Sequence, residues 1–183
     1  MTRRLTLVPG ISEKFGLAYW EPFVDGRPLR ELLAYSDPED HALDARGLGP
    51  VGENVPVLVH NWPVARVDRA LQLLGEMPSE LTGGRVPLYV CAACADLACG
   101  AVSVAVERTD REVVWHDFGW DTGWDDGEEE IRIPGGPFVF DRDQHDDELR
   151  RFVDTYDAVR AALPDPSRAP APAPRRRWWP WPR

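Results

Sequence analysis

The sequence lacks the features that place a chain in a membrane or outside the cell. No apolar run approaches the roughly 18 residues of a membrane-spanning helix. The first ten residues, MTRRLTLVPG, contain an apolar run of four, whereas a secretory signal needs about seven or more. The chain has only three cysteines, an odd number that does not suit a disulfide scaffold. We therefore expect a cytoplasmic protein.

Two common catalytic motifs are also missing. The chain contains neither the HExxH of zinc peptidases nor the GxSxG of serine hydrolases. Its four histidines, His41, His60, His116 and His145, are scattered among unrelated segments. We therefore expect a non-enzymatic binding or regulatory protein. The alternatives are a thiol oxidoreductase and a metal-binding protein.

Charge divides the chain into an acidic body and a basic tail. Residues 164–183 hold five arginines and one aspartate, so this tail carries +4. Because the whole chain carries −10, residues 1–163 carry −14. Such a body repels double-stranded nucleic acid and favours a basic protein partner.

The tail differs from the body in composition as well. Seven of its twenty residues are prolines, so we expect a disordered extension. Its final stretch, RRRWWPWPR, combines cations and indoles. That combination is typical of segments that contact membrane surfaces or stack on single-stranded nucleic acid.

Hydrophobic periodicity predicts one α+β domain over residues 1–163, a mainly antiparallel sheet covered by helices. We expect strands at 5–8, 17–24, 55–59, 86–91, 101–107, 112–118 and 137–140. We expect helices at 28–34 and 63–74, and a third one capped by Asp141 or Asp143. The buried stripe of this last helix should be Leu149, Phe152, Val153, Tyr156 and Val159.

The short link 108–111 predicts a hairpin between the strands at 101–107 and 112–118. Counting across the link pairs residue 106 with 113 and residue 102 with 117. One face of the hairpin then carries valines and Trp115. The other face carries Ala101, Ser103 and Ala105, which are small enough for a helix to pack closely.

The three cysteines lie together in YVCAACADLACGAV, residues 89–102. Cys91, Cys94 and Cys99 have the spacing C-x2-C-x4-C, which contains half of a common zinc motif. A fourth ligand is not evident, since the predicted register puts His116 opposite Ser103, about 13 Å along the strand from Cys99.

The same cysteines permit two other interpretations. A redox pair is one, although no room for a helix follows the CxxC and nearby carboxylates oppose a thiolate. Small buried side chains in a crowded turn are the other. We favour the last interpretation and expect no stoichiometric metal, with zinc at Cys91, Cys94 and Cys99 as the alternative.

A second candidate site combines aromatic and acidic side chains between Asp117 and Glu130. A calcium loop starting at Asp121 fails, because its third position is Gly123 and its sixth is Asp126. We interpret the acids as a solvated rim that binds a basic partner. The predicted contact residues are Trp120, Asp121, Trp124, Asp125 and Asp126.

Four segments carry a family resemblance: LTLVPGISEKFG, YWEPFVDGRPLRELL, RVPLYVCAACADLACGAVSVAVER and VVWHDFGW. They resemble a family of small acidic proteins from high-GC actinobacteria, over the chain up to about residue 160. The family pattern C-x2-C-x4-CGA is matched by Cys91, Cys94, Cys99, Gly100 and Ala101. The chain departs from it at Ala95 and Ala98, where glycine is expected. Some members are labelled oxidoreductases, so the resemblance implies such an activity.

Overall fold

The structure, a computed structural model, describes residues 1–35, 47–62, 67–122 and 131–164. These residues form two antiparallel sheets and two α-helices, which confirms the predicted α+β class. The strands are β1 (Leu5–Ser12), β2 (Leu17–Val24), β3 (Arg27–Pro28), β4 (Val55–Pro56), β5 (Val86–Val90), β6 (Ala101–Arg108), β7 (Glu112–Asp121), β8 (Ile131–Arg132) and β9 (Phe138–Asp141). The helices are α1 (Asp68–Leu73) and α2 (Arg142–Ala162). The predicted tail lies outside the described residues from position 165 onward.

The smaller sheet has the order β1-β2-β3, and the larger one runs β4-β5-β6-β7-β8, with β9 pairing with the first half of β7. Residues 55–60 join the two sheets. The Val57 amide donates to Leu88 O in β5, and the Trp20 amide in β2 donates to Leu58 O, both at 2.9 Å. The strand predicted at 55–59 is therefore divided between two partners, which explains why it is buried on both sides.

The first strand continues through Pro9, where the sequence predicted its end. The Leu5 and Leu7 amides point away from β2 and donate to Gln144 Oε1 and Glu148 Oε2 in α2, at 3.0 and 3.1 Å. Pro9 is two residues beyond Leu7, so its backbone nitrogen faces the same outer edge of the strand. A proline is tolerated there because no ladder hydrogen bond is lost.

The long helix α2 forms as predicted. Asp141 is its N-cap, with Oδ1 accepting from the Gln144 amide at 3.1 Å. Of the predicted stripe, Leu149, Phe152 and Tyr156 are buried in the main core, whereas Val153 and Val159 are only half-buried. No helix within the described ranges is both long and apolar enough to cross a membrane.

The two shorter helix predictions are corrected. The segment 28–34 forms only a 3-10 turn at Leu29–Glu31. From 63–74, the described part is helical over Asp68–Leu73, and residues 63–66 lie outside the described ranges.

The β6–β7 hairpin is confirmed, but its register differs by two residues. Val106 pairs with Trp115, and Arg108 pairs with Val113. A shift of two preserves the faces, so Val102, Val104 and Trp115 are buried together as predicted. A bulge follows, because Ala105 pairs with His116 whereas Ser103 pairs with Gly119.

Candidate metal centre

The cysteines lie in the connection between β5 and β6. Val90 pairs with Ala101, so residues 91–100, called the cysteine loop here, start and end at neighbouring points of the sheet. Ala92 is 6% exposed and packs into a small cluster with Leu17, Val55 and Val59. This contact anchors the first half of the loop to β2 and β4.

Two backbone features turn the chain back on itself within the loop. The Ala95 amide donates to Cys91 O at 2.9 Å, and Ala95 has a φ of 57°. This left-handed conformation favours glycine, the residue that the resemblance expects at this position. The Asp96 carboxylate then accepts from the Ala98 amide at 2.9 Å and caps the 3-10 turn Leu97–Cys99. Cys99 is thereby brought beside Cys94.

The loop ends at Gly100, which has a φ of 85°. The indole of Trp120 in β7 lies directly against this glycine, in the space that a Cβ atom would fill. Glycine is therefore required here both by the backbone conformation and by the close approach of a neighbouring side chain. Trp120 thus connects β7 to the end of the cysteine loop.

The resulting geometry brings the three thiols together. The Sγ atoms of Cys91, Cys94 and Cys99 all lie within 4.8 Å of one another. Cys94 Sγ and Cys99 Sγ are 3.3 Å apart. Three thiolates in a tetrahedral zinc site are separated by about 3.8 Å, given Zn–S bonds of about 2.3 Å. This cluster can therefore hold a metal ion with only small side-chain adjustments.

The interpretation of the cysteines as small buried side chains is wrong for two of the three. Cys94 and Cys99 are exposed, and Cys91 is half-buried. The apolar anchor of the loop is instead Ala92. The sequence of an alanine-rich turn does not show whether its alanines or its cysteines are buried, because both residues are small and both tolerate burial.

The electrostatics of the loop separate the two exposed thiols. The backbone N–H of Asp96 lowers the pKa of Cys94, and the neighbouring Cys99 thiol lowers it further. The hydrogen bond that the protonated Cys99 thiol makes with Cys94 raises the pKa of Cys99 to about 11, and the unfavourable placement of one negative charge beside another adds to this rise. At Cys94, hydrogen bonds from the Asp96 amide and the neighbouring thiols therefore outweigh the expected opposition of nearby carboxylates, and the pKa falls.

A fourth protein ligand is not found among the described residues. The grouping of potential ligand atoms in these ranges contains the three cysteines alone. His116 pairs with Ala105 in the hairpin and is thus even farther from Cys99 than the predicted register implied. Described protein atoms supply three ligands, and the exposure of Cys94 and Cys99 leaves the site open to solvent.

The second candidate site is only partly described, since Trp124, Asp125 and Asp126 lie outside the described ranges. Trp120 is half-buried and, besides covering Gly100, lines a cavity of about 240 Å³ with Tyr35 and Ile131. Asp121 accepts from Arg85 Nε at 3.0 Å. The structure thus places Trp120 at the cysteine loop and Asp121 in an internal ion pair.

Arg85 is the residue that sequence reasoning missed. It is 7% exposed, and its guanidinium contacts Ser103 Oγ at 3.0 Å and Asp117 Oδ2 at 3.2 Å as well as Asp121. At Ser103, this side chain covers the small face of β6 that was predicted to receive a helix. Asp117 reaches Arg85 because it occupies the β7 bulge with a φ of 56°. Arg132 also pairs with Asp117.

The described histidines are enclosed or remote from the cysteines. Burial lowers the pKa of both His60 and His145 to about 4. His145 accepts from Trp115 Nε1 at 3.2 Å and contacts Asp146 at 2.8 Å, so its ring has partners within the core. His60 stacks on Tyr156 inside the apolar core. His41 lies outside the described residues.

Residues 47–52 form a glycine motif that is not followed by the helix such a motif usually precedes. Residues 47–52 read GLGPVG, which has the GxGxxG spacing. The segment leads into β4 rather than into a helix, so it does not form the strand–turn–helix unit of a dinucleotide site. Its glycines line a cavity of about 550 Å³ together with Arg30 and Tyr35.

Comparisons with known protein families, curated proteins and solved structures gave no match. Fold and geometry therefore define the class of protein by themselves. It is an α+β domain that presents a three-cysteine loop, able to hold a metal ion, between two adjacent strands of its larger sheet.

Proposed function

We propose that the protein binds one soft divalent metal ion, zinc in the first place, through Cys91, Cys94 and Cys99. The observation that carries this proposal is the convergence of three Sγ atoms within 4.8 Å on one loop. Thiolate ligands select zinc and other soft ions over magnesium and calcium, which prefer oxygen. Two of the three thiols are exposed, so an ion can reach them directly from solvent.

The proposed site has an open position. Structural zinc sites usually have four protein ligands, whereas sites with three protein ligands keep a position for water or another small ligand. Within the part of the chain that the structure describes, the cysteine loop supplies all three ligands, so we assign the remaining position to an exogenous group. The protein then acts as a metal-binding or metal-responsive protein.

The experiment that tests this proposal is a titration of reduced, metal-free protein with Zn²⁺ and with Co²⁺ as a spectroscopic probe. We expect binding of one ion per chain and, for Co²⁺, the intense absorption of thiolate-to-metal charge transfer. Serine in place of Cys91, Cys94 or Cys99 should remove or strongly weaken binding. Ala93→Ser is the matched control. Ala93 is an exposed residue of the same loop, and the substitution introduces the same serine hydroxyl without removing a thiol.

The proposal fails if wild-type protein shows no charge-transfer band at equimolar Co²⁺. It also fails if the ion stays bound equally well in all three cysteine variants.

Cytoplasmic location forms part of the proposal, because three reduced thiols persist best in a reducing compartment.

The acidic partner surface remains a separate proposal that the described residues do not favour. Asp117 and Asp121, its two described acids, already pair with Arg85 and Arg132. A basic protein partner would have to be bound by the acids between positions 123 and 130. Retention of a lysate protein at low salt and its release at high salt would support that surface, and retention that ignores salt would exclude it.

A further inference from the structure

The two exposed thiols of the cysteine loop are arranged for more than metal binding. Cys94 Sγ and Cys99 Sγ are 3.3 Å apart, and both side chains are exposed. A disulfide holds its sulfurs at about 2.05 Å, so closure needs an approach of only about 1.3 Å. Thiol chemistry also requires that a reagent reach a sulfur atom, and exposure at both positions provides this access.

We propose that Cys94 and Cys99 are a redox-active pair that closes to a disulfide when it reacts with a low-molecular-weight disulfide. The pair itself stands on the distance and the exposure. Its effect on the bound ion rests on the metal-binding function proposed above. Cys91 is half-buried at the end of β5 and stays reduced.

The reaction is a two-step thiol–disulfide exchange that balances without another reagent. A thiolate of the pair attacks one sulfur of the small disulfide RSSR, a mixed disulfide forms, and RS⁻ leaves. The second thiol of the pair then gives up its proton and attacks the protein-bound sulfur of the mixed disulfide. The Cys94–Cys99 bond forms and a second RS⁻ leaves. The protein dithiol is oxidised by two electrons, and RSSR is reduced to two RSH.

Closure of this bond acts directly on the metal centre. A disulfide sulfur is not a thiolate and is a poor ligand for zinc, so oxidation removes two of the three proposed ligands. Cys91 alone cannot hold the ion. Metal binding and oxidation therefore exclude each other, and the loop exists either as a metal-loaded dithiol form or as a metal-free disulfide form.

The chain offers a convenient way to map the disulfide. Asp96 is the only acidic residue between Cys94 and Cys99, and no acidic residue separates Cys91 from Cys94. Metal-free protein is treated with oxidised glutathione, its remaining thiols are alkylated, and it is digested with a protease that cleaves before aspartate. A Cys94–Cys99 disulfide links two fragments and leaves Cys91 alkylated. A Cys91–Cys94 disulfide stays within one fragment.

We expect linked fragments with alkylated Cys91. A Cys91–Cys94 linkage, or glutathione that stays attached in wild-type protein without ring closure, would overturn the inference. Cys99→Ser should stop at a mixed disulfide that adds one glutathione per chain. Cys91→Ser should still close the disulfide, and failure to do so would also overturn the assignment.

Separate readouts distinguish this inference from the metal-binding proposal. Cys91→Ser should lose metal binding and keep disulfide closure. In zinc-loaded wild-type protein, one zinc ion should be released to a chromogenic chelator for each disulfide formed. If wild-type protein closes the disulfide but never binds zinc, the metal-binding function fails and the redox pair stands. If zinc binds but oxidised glutathione does not close the Cys94–Cys99 disulfide in metal-free protein, the redox inference fails alone.

Discussion

The two ends of β5 place chemically active side chains in opposite situations. Arg85 precedes the strand and is enclosed by Ser103, Asp117 and Asp121. Cys91 follows the strand and opens a loop whose other two thiols face solvent. One end satisfies its polar groups from within the chain, whereas the other leaves two thiols exposed to solvent. The same strand thus joins one enclosed polar end to one exposed end.

Arg85→Met should give the largest effect, because it breaks the enclosed end. Asp121 would lose its charged partner and keep only the hydrogen bond from the Ser103 hydroxyl, while its side chain is only 20% exposed. Loss of one partner of such a buried pair costs about 3 kcal/mol. We expect a decrease of this size in the free energy of unfolding, measured by urea denaturation of reduced, metal-free protein.

Arg132→Met is the matched control for Arg85→Met. Arg132 is the other arginine that pairs with Asp117, and its side chain is 52% exposed. Exposed pairs contribute up to about 1 kcal/mol. If both variants lose the same free energy of unfolding, the ion pairs of Arg85 contribute no more than an exposed pair at the surface.

Gly100→Ala should give the next largest effect, because Gly100 is where the cysteine loop meets Trp120 next to Asp121. The backbone conformation, with φ of 85° and ψ of 153°, costs another residue about 2 kcal/mol. The added Cβ also collides with the Trp120 indole. Urea denaturation should show the loss, and near-ultraviolet circular dichroism should report displacement of the indole.

Gly83→Ala is a control for a positive φ without a steric contact. Gly83 has a φ of 68°, but an added Cβ would meet no atom within 4 Å. We expect a cost of about 1 kcal/mol there, from the left-handed backbone alone. If Gly100→Ala loses no more than the roughly 2 kcal/mol of its backbone conformation and the near-ultraviolet spectrum is unchanged, Trp120 does not press on the loop in solution.

Cys94→Ser should give the smallest effect on the metal-free protein. Cys94 is exposed, and surface substitutions usually change stability by less than about 0.5 kcal/mol. The same substitution should abolish the stabilisation that added zinc gives to wild-type protein, because a ligand stabilises only the state that binds it. Thermal denaturation with and without Zn²⁺ measures both effects. A large loss in the absence of metal would mean that the thiol is a structural element.

Most of the fold follows from local sequence patterns. Asp141 and the stripe through Leu149, Phe152 and Tyr156 suffice to predict α2. The hairpin follows from two apolar strands and a short polar link, but its register does not, since Arg108 stays in the ladder. A shift of two residues leaves the hydrophobic pattern unchanged, so the pattern cannot detect it.

The site was predicted in part. The spacing of the cysteines identified the cluster, whereas their exposure depends on Ala92 packing into a pocket formed by distant strands. Arg85 could not be predicted, because its partners lie on β6 and β7, far along the chain. One local signal was available for the bulge: two polar residues, His116 and Asp117, separate the buried Trp115 and Phe118. Strict alternation allows only one.

The contacts between α2 and β1 have a consequence for self-association. The Gln144 carboxamide accepts from the Leu5 amide and donates to Leu5 O at 2.6 Å, as a peptide unit of a neighbouring strand would. Arg151 donates to Leu7 O at 2.7 Å, beside the Leu7 amide held by Glu148. An open strand is a template on which a second molecule can polymerise. Here side chains of α2 occupy the hydrogen-bonding groups of Leu5 and Leu7, and Pro9 has no N–H to offer at the next position. A strand of a second molecule therefore cannot pair with this edge of β1.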